Sequence, residues 1–224
     1  NISGGITVAG EALTIRGAGQ APANAGALRN ISGNNSWTGP ITLSNSLRVT
    51  SDSGTLTLGD INTGSTRTFI MNGAGNVTVD GVISSSGAVS VDNLNNVATP
   101  GILTLNGADT YDGGTTVTGG GTLTMAGART LATTAGIAIT QGIINMTGAR
   151  TASSGTLTVA NGNGQTGTLN LSNGDFAASS ITVGTTVLNA TTGTPGIGIV
   201  NHTAGILSTA GQILMGTFNT SSTV

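Results

Sequence analysis

A block of six residues that returns at almost fixed intervals limits what this chain can fold into more than any other feature. Leu105-Asn106-Gly107-Ala108-Asp109-Thr110 recurs as Met125-Ala126-Gly127-Ala128-Arg129-Thr130 and again as Met146-Thr147-Gly148-Ala149-Arg150-Thr151, at offsets of 20 and 21 residues. Gly121-Thr122-Leu123-Thr124-Met125 returns at the same offset as Gly142-Ile143-Ile144-Asn145-Met146, and looser copies start at Ile15-Arg16-Gly17-Ala18 and Met71-Asn72-Gly73-Ala74. Self-similarity at a period near twenty is the mark of a stacked repeat, in which each unit buries its apolar side only against its neighbours.

Within and between the copies the local pattern is apolar-x-apolar, as in Leu13/Ile15, Leu56/Leu58, Val77/Val79, Leu103/Leu105, Leu157/Val159 and Ile181/Val183. A period of two places alternate side chains on opposite faces of a strand, so one face of each short strand is buried. The residues between are mainly Thr, Ser and Asn, which suit the wet face. Clusters such as Gly33-Asn34-Asn35, Gly119-Gly120-Gly121 and Asn173-Gly174-Asp175 separate the strands with residues that tolerate turn conformations. The expected architecture is all-β: a right-handed parallel β-helix (a β-solenoid) of about 20–25 residues per coil, each coil about 4.8 Å above the last. The 224 residues would form one β-solenoid segment of about nine to eleven coils, a rod of roughly 45–55 Å. Leu105, Met125 and Met146 are its expected interior ladder. A β-sandwich also reads as many short strands, but its longer strands and Greek-key connections do not call for a repeated 20/21 offset.

Two stretches carry a resemblance. One runs Leu103-Thr104-Leu105-Asn106-Gly107-Ala108-Asp109-Thr110-Tyr111-Asp112-Gly113-Gly114-Thr115-Thr116-Val117 and closes with Gly121-Thr122-Leu123; the other is Ile31-Ser32-Gly33-Asn34-Asn35-Ser36-Trp37-Thr38-Gly39-Pro40-Ile41-Thr42-Leu43. Both resemble the autotransporter-associated β-strand repeat of bacterial passenger domains, with Asp109 where Asn is usual and Pro40 in place of Gly. About two copies match; the rest of the chain is similar only in texture. The resemblance implies a secreted β-helical stalk within a large bacterial surface protein, and it brings no catalytic or ligand residues. On it, Trp37 and Tyr111 take equivalent places and are expected to pack turns.

Composition narrows the function. Charged residues are 6% of the chain, against about 25% in ordinary globular proteins. Aromatics are 2% and Lys is absent, so the core must be aliphatic. Gly/Ser/Thr-rich chains are often disordered, but regularly placed aliphatic residues argue for a buried face. A net charge of -2 without a basic cluster gives no means of neutralising phosphates, so nucleic acid is not an expected partner. Without Cys there are no disulfides and no thiolate chemistry. No apolar run approaches the ~18 residues of a membrane-spanning helix, and the ~10-residue amphipathic strands and aromatic girdles of a membrane barrel are missing, so no membrane insertion by this segment is expected. Asn1 is not an initiating Met and no leader-like stretch follows it, so the chain is expected to be part of a longer protein.

Some β-helical proteins act on polysaccharides, which requires carboxylates facing each other across the scissile bond. The nearest acids, Asp109 and Asp112, flank Tyr111, where Asx-type turns account for both. The remaining acids are too dispersed for a Ca²⁺ cage. His202 is the sole histidine and is expected on the surface or in a turn. No catalytic, cofactor-binding or metal residue is therefore assigned. If the repeats stack as aligned, Asp109 lies one coil from Arg129 and Arg129 one coil from Arg150. This predicts an exposed Asp109–Arg129 pair contributing under about 1 kcal/mol. Thr-x-Thr at Thr55/Thr57, Thr122/Thr124 and Thr156/Thr158 raises ice binding, since flat ranks of Thr can order water; Asn145, Asn170 and Ser90 in comparable slots break that array. Sequons at Asn76, Asn145, Asn170, Asn189 and Asn201 are expected from composition alone.

The expected function is structural and non-catalytic: a stiff rod or self-assembling filament in a secreted bacterial cell-surface or fibre protein. Neither end shows a polar cap, so the rod is expected to stack on another copy end to end or to continue into further coils. The second reading is an adhesin binding glycan or host protein through the irregular stretches Gly17–Gly26 and Asp92–Gly101. A polysaccharide-acting enzyme is the third.

Overall fold

The computed structural model describes residues 1–19, 25–93, 97–130, 135–151, 155–160, 162, 164–184 and 196–216. Every strand pairing among them is parallel, which sets the sandwich aside, and none of them is helical. The chain is a β-solenoid with three sides taken in constant order. Asn76–Val79 lies on the first side, Ile83–Ser84 on the third and Ala88–Val91 on the second. Ile102–Leu105 then returns to the first side, stacked on Asn76–Val79 with Val77 opposite Leu103 and Val79 opposite Leu105.

The first side is a nine-stranded sheet whose eight pairings contain no register shift. At about 4.8 Å per step its strands span roughly 38 Å along the axis. The second side is a run of ten strands, from Ile2–Ser3 to Ile213–Met215. The third side carries four of the two-residue strands and is joined to the second through Ile41–Ser51, an 11-residue strand that turns the corner.

Circuit length is less even than the repeat alone indicates. Leu105 to Met125 is 20 residues and Met125 to Met146 is 21, but Val8 to Trp37 is 29 and Leu171 to His202 is 31. The surplus falls only at the two corners that flank the second side. Between a first-side strand and the third-side strand after it there are always two to four residues, as at Leu58/Ile61 and Leu171/Phe176. Of the irregular stretches expected from sequence, the middles of Gly17–Gly26 and Asp92–Gly101 lie outside the described residues.

Apolar alternation becomes continuous interior ladders. On the second side Leu28, Val49, Met71, Val91, Val117, Ile139, Val159 and Val183 succeed one another in register, all buried. On the first side Leu58, Val79, Leu105, Met125, Met146 and Leu171 do the same. Burying one such side chain stabilises the fold by about 1.5–3 kcal/mol, and the bore is narrow enough for aliphatics to fill it without a cluster of aromatic rings. In the last rung Ile213 and Met215 continue the ladder above Ile181 and Val183 at 57% and 69% exposure, with no described strand over them.

Polar residues close the corners. Gly73 has φ of 105°, and a Cβ there would collide with the Ser51 carbonyl oxygen, so both backbone and space demand glycine. Asn35 stands where Leu56 stands one rung later, yet it is 2% exposed. Its Oδ1 accepts the N–H groups of Gly5 (3.0 Å) and Ile6 (2.6 Å), and its Nδ2 donates to Asn30 Oδ1 and the Ser32 carbonyl. That satisfaction is what makes a buried amide tolerable.

Candidate functional site

The chemistry-bearing residues singled out by the repeat converge on the third side. Up that side each strand's first N–H reaches the next rung: Leu13 to the Pro40 carbonyl, Ile41 to Asp60 and Ile61 to Val82, at 2.8–2.9 Å. At Ile83 the donor meets a side chain instead, the Asp109 carboxylate, at 2.7 Å. The N–H groups of Thr110 and Tyr111 return to the Ile83 carbonyl at 2.9 and 3.2 Å. Asp109 thus supplies an acceptor that the strand backbone supplies elsewhere, bridging a rung in which the third side has no strand. Short strands resume there at Arg129–Thr130, paired with Arg150–Thr151.

This placement takes Asp109 off the surface, where the expected pair with Arg129 had it. Asp109 is 3% exposed, because its side chain turns toward the backbone of the rung below. The register does put Arg129 opposite Arg150; the side chains of both arginines lie outside what the structure describes. Two ion pairs are described. Arg29 meets Asp52 at 2.7 Å near the surface, and Arg48 Nη1 meets Asp92 at 2.7 and 2.9 Å with side-chain exposures of 7% and 14%. The latter reaches over the intervening Thr68–Asn72 strand and so fastens three rungs. Nothing in the spacing, 44 residues apart, announces it.

The two repeat aromatics are not equivalent. Trp37 lies on the first side, in the interior column between Val8 and Leu58, half-buried, with its indole N–H on the Glu11 carbonyl at 2.9 Å. Tyr111 belongs to the third side, fully buried, its hydroxyl 2.8 Å from that of Thr115. The two copies are offset by one side of the solenoid. The same holds for the looser copies: Met71-Asn72-Gly73 ends a second-side strand and Ile15-Arg16-Gly17 a third-side strand. Leu105, Met125 and Met146 are direct neighbours in register at 0–1% exposure.

Asp112 is half-buried beside this rung, with its N–H on the Ser85 carbonyl at 3.2 Å. Among the described residues no three His, Cys, Asp or Glu side chains gather closely enough to hold a metal ion. His202 is exposed, with Nε2 2.9 Å from the Gly205 carbonyl. No helix among the described residues is long and apolar enough to cross a membrane.

The outer face of the nine-stranded sheet is the most regular surface. One column reads Thr55, Asn76, Ile102, Thr122, Ile143, Thr168 and Ile199; the next reads Thr57, Thr78, Thr104, Thr124, Asn145, Asn170 and Asn201. No charged residue stands in either. In the second column Asn201 Nδ2 donates to Asn170 Oδ1 and Asn170 Nδ2 to Asn145 Oδ1, both at 2.7 Å, and Asn145 Nδ2 to Thr124 Oγ1 at 3.4 Å. Three sequon asparagines therefore form one amide ladder; Asn189 lies outside the described residues. Thr156/Thr158 and Ser90 belong to the second side, so they neither extend nor interrupt this array.

Comparison with family models, with curated proteins and with solved structures finds no match to this chain.

Proposed function

We propose that this chain is a non-catalytic structural segment of a secreted bacterial cell-surface or extracellular fibre protein, serving as a stiff rod. One observation carries the reading: the nine-stranded sheet keeps its register through eight successive pairings over a continuous aliphatic interior. A stack of that kind resists bending, because each rung is held by its neighbours along the whole axis. Placement at a bacterial surface rests on the two stretches that resemble the autotransporter-associated β-strand repeat.

The non-catalytic part of the reading draws on the acids. Asp109 is buried and spends an oxygen on the Ile83 N–H, which suits a structural role better than attack on a substrate. The partners on this reading are more coils, from the same chain or from another copy, since a parallel sheet edge is completed by another strand. Electron microscopy of the native assembly tests the reading. Thin rods of constant width, single on a stalk or joined in a filament, are the expected result. Strong saturable binding on a glycan array would transfer the role to adhesion, and polysaccharide turnover abolished by Asp109→Ala would overturn the non-catalytic reading.

A further inference from the structure

We draw no further inference here: the strongest candidate, the uncharged two-column Thr/Ile/Asn array on the outer face of the nine-stranded sheet, is a periodic stripe of short side chains, and nothing in the structure shows what covers it.

Discussion

Asp109 and Asn35 show how single polar residues decide where this solenoid turns. Both are buried, and both take backbone N–H groups that would otherwise face the interior unpaired. An orphaned buried donor costs about 1–3 kcal/mol, so Asp109→Ala should lower unfolding stability by that amount. Asp109→Asn retains an acceptor oxygen and should cost less. Denaturant melts of the two variants distinguish the cases: equal losses would mean that the carboxylate charge, and not its acceptor role toward Ile83, matters. Tyr111→Phe, which removes the hydroxyl facing Thr115, should cost about 0.5–1.5 kcal/mol.

At the scale of strands and corners, the Arg48–Asp92 pair is the feature with the sharpest expected effect. Removing one partner strands a charge at a site of 7% or 14% exposure, and losses of about 3–5 kcal/mol follow from such truncations. Asp92→Ala should fall in that range, while Arg48→Met combined with Asp92→Leu should recover much of it; a double mutant as unstable as Asp92→Ala would refute the pairing argument. Strand positions were well legible in the sequence, because period-two alternation reports directly which side chains point inward. Which of three sides a strand occupies was not, since Gly-Ala corners look alike on every side. That is why Trp37 and Tyr111 read as equivalent and the Met71 and Ile15 copies as in phase. The burial of Asp109 was hidden for a related reason: a corner motif does not reveal whether its short acid faces solvent or closes a missing strand. Arg48 and Asp92 meet across two circuits of unequal length, a distance no local pattern encodes.

For the molecule as a whole, low charge and dense pairing bear on proteolysis. Lys is absent and there are six Arg residues. Of these, Arg48 is buried, Arg29 is ion-paired, Arg67 donates to the Leu43 carbonyl, and Arg129 and Arg150 sit in paired strands. Among the arginines whose side chains the structure describes, Arg16 alone is exposed, one residue from the end of its strand. Of the bonds after Arg16, Arg29, Arg48 and Arg67, native trypsin digestion should therefore cut first the one following Arg16, because cleavage requires locally opened chain; early cuts after Arg48 or Arg67 would contradict a tightly stacked rod. The constancy of the corner between the first and third sides has an engineering consequence. Length changes are absorbed at the other two corners, and lengthening a flexible loop twofold costs only about 0.6 kcal/mol. A decorating peptide spliced between Gly119 and Gly120 should thus ride on the scaffold at little thermal penalty. The same peptide between Asp80 and Gly81 should throw the rungs on either side out of step.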